Sequence, residues 1–157
     1  MRRGLATVHG PLQHVRTLAD SMPPVVAMGF AFGRCDGQTL EMHAPLALNV
    51  NDKGSAFGGS MTSLMTFSAW SLVMVELELA GIRADVFVAD SQVRYRAPVY
   101  GDLHARAELA PGQAWASFLD TLKQSGRASI HMQAQVVLAE GAAAATLAAR
   151  YVAIANG

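Results

Sequence analysis

The sequence predicts an α+β fold: a curved antiparallel sheet of five or six strands wrapped around one long buried helix, with a short helix ahead of them. Three observations carry this expectation. Gly54 to Val75 contains no charged residue, so a helix built on it offers no face to water. Ala84–Ala97 and Ala128–Ala139 alternate polar and apolar side chains with the period of a strand. Turn signals at Cys35-Asp36-Gly37, Gly101-Asp102 and Glu140-Gly141 return one strand beside the next.

The elements follow in order. Pro11 to Met22 reads as an amphipathic helix, with Leu12, Val15, Leu18, Ala19 and Met22 on one face and Pro23-Pro24 as its stop. Val25–Gly33 and Gln38–Ala44 read as a strand hairpin. The long helix runs from about Ala56 to Ala80, and Gly81 stops it. In the strand at 84–97, Phe87, Ala89, Val93 and Tyr95 should face one way and Asp90, Gln92, Arg94 and Arg96 the other. Pro98 ends it, and Leu103–Ala110 forms the next strand. Trp115, Phe118, Leu119 and Leu122 stand at helical spacing, with Gly126 as the stop. The alanine run 142–145 favours helix locally. A hairpin return is nevertheless the way to pair the strand before it, so a last strand is expected over Thr146–Ile154.

A length of 157 residues predicts one domain over 1–157. Charged residues make up only 15% and hydrophobic ones 52%. That balance leaves apolar surface for a second subunit to cover, so a homodimer is expected, with a dimer of dimers as an extension. The net charge is zero and no basic run is interleaved with aromatics, which argues against nucleic acid. The single cysteine, Cys35, reads as a small buried hydrophobe and fits a reducing cytoplasm. Arg2 and Arg3 are followed by Pro, His and Gly rather than an apolar run, so no signal peptide is read there. The uncharged stretch is rich in Gly, Ser and Thr and is bounded by Glu76 and Glu78, so it is read as a buried helix and not a membrane span.

The chemistry concentrates in "NVNDKGSAFGGS", residues 49–60. Asn49 and Asn51 point the same way in extended chain, and an Asn amide both donates and accepts. Gly58 and Gly59 open the helix, where bare backbone N–H groups and the positive dipole end meet a ligand. Together these features describe an oxyanion site. Lys53 adds a cation. The alternative is architectural: Ser55 caps the helix, Asn49 and Asn51 satisfy turn backbone, and the glycines permit close packing.

"NDKGSAFGGS" resembles the N-x-x-G-[ST]-x-H-G-G signature of hotdog acyl-thioesterases, with Asn51, Gly54, Ser55, Gly58 and Gly59 in matching positions. "VADSQVRYRAPVYGDLHARAEL" resembles that family's long third strand and Pro…Gly-Asp turn. "NVNDKGSAFGGSM" with "FLDTLKQSGRASI" is more narrowly similar to a hotdog domain known as a putative thioesterase, whose members include malonyl-acyl-carrier-protein decarboxylases. The resemblance spans nearly all of the chain after residue 11. It implies a sheet continuous across a dimer and sites between subunits. It also implies Gly58 N–H as oxyanion donor, Asn51 orienting the thioester or a water, and a role in initiating fatty acid synthesis.

The departures from the signature decide more. Phe57 stands where the signature has histidine. The hydrolytic carboxylate is expected two turns into the helix, near Thr66, yet Ser60 to Trp70 holds no Asp, Glu or His. Glu76 and Glu78 lie too far along. Asp52 and Asp90 are the remaining candidates for a base. Hydrolysis needs such a base, typically worth about 10²–10⁴ in rate. Decarboxylation of a malonyl thioester needs an oxyanion hole and no base for water. Three readings therefore compete: decarboxylation of malonyl thioesters on acyl carrier protein or coenzyme A, thioester hydrolysis, and a non-catalytic acyl-binding dimer.

Asn51, Asn49, Gly58 and Gly59 are the catalytic candidates. Lys53, Ser55, Phe57, Thr66, Arg94 and Arg96 are the substrate-binding ones, the two arginines for a phosphate or an acidic carrier protein. Arg83 and Arg106 flank the same strands. His43, His104 and His131 lack metal-ligand spacing and read as structural, so no metal and no cofactor is expected. Ser60 and Ser63 lack a His-Asp partner for nucleophilic attack.

Overall fold

The computed structural model describes residues 5–157, with side chains from His9 onward; the reading of Arg2 and Arg3 lies outside the described residues. Helix α1 (Leu5–Asp20) and helix α2 (Pro23–Ala27) precede a hairpin of β1 (Ala31–Cys35) and β2 (Thr39–Ala44). One 3-10 turn, Leu46–Leu48, leads to helix α3 (Gly58–Leu79). Then come β3 (Ala84–Tyr95), β4 (Leu103–Leu109), α4 (Trp115–Ser125), β5 (Arg127–Val137) and β6 (Ala143–Ala155). The strands form one antiparallel sheet in the order β1-β2-β4-β5-β6-β3.

Helix α3 is buried on nearly every side, from Ser60 and Met61 through Leu64, Met65, Leu72, Val73 and Val75 to Leu77. The sheet meets it with Leu40 and Met42 of β2, Leu103 and Ala105 of β4, Ile130 and Met132 of β5, and Leu147 and Tyr151 of β6. This is the wrapped hotdog arrangement. The absence of charge from Gly58 to Val75 becomes a packing requirement satisfied by strands on the helix's flanks, and Glu76 and Glu78 come only at its C-terminal end. Among the described residues no helix is long and apolar enough to cross a membrane.

Several boundaries differ from expectation for local reasons. Helix α1 begins at Leu5 and carries Pro11 inside it. Its buried stripe of Leu12, Val15 and Ala19 packs along α3, and this tertiary contact overrides the break a proline would otherwise make. Pro23 and Pro24 do more than stop α1: they occupy the first turn of α2, where a missing N–H costs nothing. The expected strand over 25–33 is therefore helical in its first residues. The alanine run joins a strand, as the hairpin argument requires, because β6 starts at Ala143.

In β3 the alternation is not strict. A bulge between Val88 and Asp90 shifts the register. Val86 and Val88 pair with Ala153 and Tyr151 on the helix side, whereas Phe87 pairs with Val152. Phe87 thus leaves the face of Val93 and Tyr95 on which the sequence placed it. Strand β3 is also an edge, with Phe87 55%, Val88 46% and Tyr95 56% exposed.

Candidate functional site

The loop from Asn49 to Phe57 is closed by its own backbone and by two asparagines with different tasks. Asn49 is buried, 2% exposed. Its Nδ2 donates to Met28 O and Pro45 O, both at 2.8 Å, and its backbone carbonyl accepts from Phe57 N. Both amide hydrogens are thereby used, one to tie the loop to the end of α2 and one to close the turn that leads into it. Asn51 is half-buried. Its Oδ1 accepts from Lys53 N at 2.8 Å and Ser55 N at 3.1 Å, and its Nδ2 donates to Ser55 Oγ at 2.9 Å. Among the described residues the other Nδ2 hydrogen of Asn51 has no partner. Gly54, at φ 81°, allows the reversal between them.

Ser55 does not cap the helix. It is buried in the loop as Asn51's partner, and the N-cap is Phe57, which makes no side-chain cap bond. The first intrahelical donor is Met61, to Phe57 O, so among the described residues the N–H groups of Gly58, Gly59 and Ser60 have no partner at the positive end of α3. Gly58 has room for a side chain, whereas Gly59 is crowded. A Cβ on Gly59 would meet the Phe57 ring at 2.6 Å, because that ring folds back over the helix start.

Two residues that sequence reasoning did not single out complete this end. The Tyr95 phenol donates to Gly58 O at 3.1 Å and shares a hydrogen bond of 2.5 Å with Thr62 Oγ1. Its ring lies beside Gly58, about 3.4–3.5 Å from where a Cβ would stand. Tyr95 reaches the helix because the bulge in β3 sets its register. Nothing in the linear sequence marks a tyrosine thirty-odd residues away as a neighbour of Gly58.

Thr62 also begins a groove of about 530 Å³ that runs along α3. Its first part carries the hydroxyls of Thr62, Ser63 and Thr66. Its far part is apolar, with Phe30, Phe67, Trp70 and Val88 among its walls. Thr66 is half-buried, and its backbone carbonyl accepts from the Tyr151 phenol at 2.6 Å. Burial pushes the Tyr151 phenol well above its ordinary range, so it is a proton-bearing donor and not a base. Among the described residues no Asp, Glu or His lines the groove.

The other charged candidates lie elsewhere. Lys53 pairs with the adjacent Asp52 at 2.9 Å, both well exposed at the loop tip. Asp90 pairs with Arg150 at 2.9 Å, and Arg150 opposes it across the β3–β6 register. Arg94 alternates with Tyr95 and so takes the sheet face turned away from α3, while Arg96 lies just past the end of β3, exposed, with its backbone N–H on Ala144 O. On that face Arg94 shares a shallow polar groove with Arg106. The site candidates therefore divide into three groups. Asn49, Asn51, Lys53, Ser55, Phe57, Gly58 and Gly59 share the loop and helix start, with Lys53 at its exposed tip and Asn49 inside it; Thr66 stands further along the groove; and Arg94 and Arg96 lie at the far end of β3, Arg94 on the opposite sheet face.

His43 and His104 meet as a pair across β2 and β4, Nδ1 to Nδ1 at 2.7 Å. Burial, and then the neighbouring imidazole, hold His43 below the ordinary histidine range. Among the described residues no three His, Cys, Asp or Glu gather as metal ligands.

A family model described as "Putative thioesterase (yiiD_Cterm)" matches residues 12–155. Among solved structures, a protein of unknown function from Chlorobaculum tepidum is 26% identical, with TM-score 0.85 over 92% of this chain and 94% of its own. A "putative thioesterase" from Shewanella oneidensis is 26% identical, with TM-score 0.82 over 93% of this chain and 99% of its own. A "Probable Thioesterase" from Pseudomonas aeruginosa, 21% identical with TM-score 0.77 over 92% and 95%, shares the fold.

Proposed function

The chain belongs to this thioesterase-like family of hotdog enzymes acting on thioesters, and from that premise we propose that its reaction is decarboxylation of a malonyl thioester to the acetyl thioester. The observation that carries the proposal is the pairing of free helix-start N–H groups with a groove that has hydroxyls but no base. In this reading Gly58 N–H and Gly59 N–H receive the thioester oxygen, and the spare amide hydrogen of Asn51 supplements them. The bond from C2 to the carboxylate carbon breaks. Its electron pair passes into the enolate, whose oxygen gains the charge those donors are preorganised to hold. Carbon dioxide leaves, and a proton from water is added to C2.

The hydroxyls of Thr62, Ser63 and Thr66 orient the carboxylate. A carboxylate in a largely apolar groove is poorly solvated, and it loses its charge as it departs, so the surroundings favour the transition state over the ground state. Tyr95 and Thr62 hold the helix start in place. Asn49 is assigned to building the loop, with both amide hydrogens engaged, and Asn51 to the substrate. Lys53, at the exposed loop tip, acts at the rim on a coenzyme A phosphate or an acidic carrier protein, whereas Arg94 lines a separate groove with Arg106 and acts, with Arg96, on a docked carrier protein and not on the reacting group. The exposed apolar side chains of edge strand β3 fit a homodimer joined edge to edge.

The family description favours a second reading, hydrolysis. It requires a base, and the two carboxylates named for it are spoken for: Asp52 beside Lys53 in solvent, Asp90 beside Arg150. Mass spectrometry of malonyl-carrier protein after incubation separates the readings. Acetyl-carrier protein supports decarboxylation, free carrier thiol supports hydrolysis, and unchanged substrate supports a non-catalytic acyl-binding module.

A further inference from the structure

The groove is larger than a malonyl group needs. Its volume of about 530 Å³ lies within the range of sites that enclose ligands of drug size, whereas a malonyl group has three carbons. Its lining is also divided by chemistry. Thr62, Ser63 and Thr66 cover one turn of α3 with hydroxyls, and the next turn presents Phe67 and Trp70. A thioester whose oxygen sits at the helix start has a C2 with two remaining directions. The carboxylate on C2 belongs with the hydroxyls. Any second substituent on C2 then faces the aromatic part.

Resting on the decarboxylase reading, we infer that the preferred substrate is a malonyl thioester bearing an alkyl substituent at C2, and that Trp70 is the wall that limits its length. Trp70 is held from two sides. Its Nε1 donates to Val86 O on β3 at 2.9 Å, and its ring stacks on Phe67 with centroids 5.3 Å apart and planes 17° apart. A side chain fixed by a hydrogen bond and a stack is an end wall with one position, not a gate. From Thr66 to Trp70 is about one helical turn, roughly 6 Å. At about 1.5 Å per C–C bond that is space for roughly four carbons. The atoms balance as before: the alkyl substituent stays on C2, carbon dioxide leaves, and water supplies the proton that makes C2 a methylene.

The test uses the full chain with coenzyme A thioesters of malonate, methylmalonate, ethylmalonate, butylmalonate and hexylmalonate, read by product mass and by kcat/KM. Each added methylene buried in the groove should raise kcat/KM by about fourfold as far as butyl, and hexyl should fall back. Trp70→Ala should move the limit to hexyl or beyond. Trp70→Phe, which keeps the stack on Phe67, serves as the second variant should the alanine form fail to fold, and should move the limit by a smaller step.

Malonyl turnover with equal or slower turnover of every substituted member would overturn this inference and leave the decarboxylase reading standing. A normal rise for the wild type with an unchanged length profile in folded Trp70 variants would overturn the role of Trp70. Absence of decarboxylation from every member would overturn both the parent reading and this one.

Discussion

Asn51 is the residue at which chemistry and architecture are most closely joined, and substituting it two ways separates them. Asn51→Ala removes three hydrogen bonds at once. The Lys53 amide is exposed and finds water. Ser55 is 5% exposed, so its N–H and hydroxyl lose a partner where water does not replace it. A buried polar group left without a partner costs about 1–3 kcal/mol. For a chain of this size each kcal/mol is about 2–4 °C in Tm, so a fall of roughly 5 °C is expected. Turnover of malonyl thioester should fall by about 10²–10³, the loss typical of one oxyanion donor.

Asn51→Asp is the discriminating variant. Its carboxylate still accepts from Lys53 N and Ser55 N, and the Ser55 hydroxyl can turn to donate to it. The negative charge sits near the start of α3, where the helix dipole favours it. Stability should stay near wild type, within about 2 °C. The donor is gone and an anion stands near the oxygen that gains charge, so turnover should fall at least as far as in the alanine variant. Melting curves and kcat on the same preparations give both quantities. Wild-type turnover in folded Asn51→Asp, within about threefold, would refute the reasoning and leave the loop a structural device.

Further outcomes are expected. Gly59→Ala should retain its fold, because the side chain in its way is the exposed, movable ring of Phe57 and alanine is the better helix former. Its turnover should nevertheless fall by about tenfold or more as the displaced ring and new methyl crowd the donors, checked by kcat beside a melting curve. His43 has a depressed pKa in the folded chain, so the unfolded chain takes up its proton first. Stability should therefore hold above about pH 6.5 and decline as pH falls from there toward the depressed folded value. His43→Gln should flatten that decline in melting curves recorded across the range. Sedimentation should give a dimer at micromolar concentration, and Phe87→Asp with Val88→Asp on the β3 edge should shift it toward monomer; a wild-type monomer would contradict the edge-to-edge assembly.

The long-range architecture was legible because the burial requirement of residues 58–79 is extreme, and a helix without a polar face leaves few ways to cover it. The strand at 127–137 was legible from alternation, and the one at 103–109 from the Pro98 stop and Gly101-Asp102 turn before it. What escaped depended on contacts between distant parts. Pro11 sits inside α1 because α3 supplies packing that no local propensity records. The bulge in β3 is invisible to a period-two count, and it moves Phe87 to the other side. The two asparagines look equivalent in sequence, yet Asn49 is tied to Met28 O and Pro45 O. That assignment needs α2 in place. Tyr95 and Thr62 meet only after the β3 register is set. The loop motif was readable as a motif; which of its donors remain free was not.

The most direct test of the central claim follows the carbon that should leave. Malonyl thioester carrying a heavy-carbon label in its free carboxylate is incubated with the wild-type chain and observed by carbon NMR. The account predicts that the label leaves as carbon dioxide and bicarbonate, in equal amount to acetyl thioester formed, with the thioester bond intact. Label recovered in free malonate, with release of the carrier thiol, would contradict it.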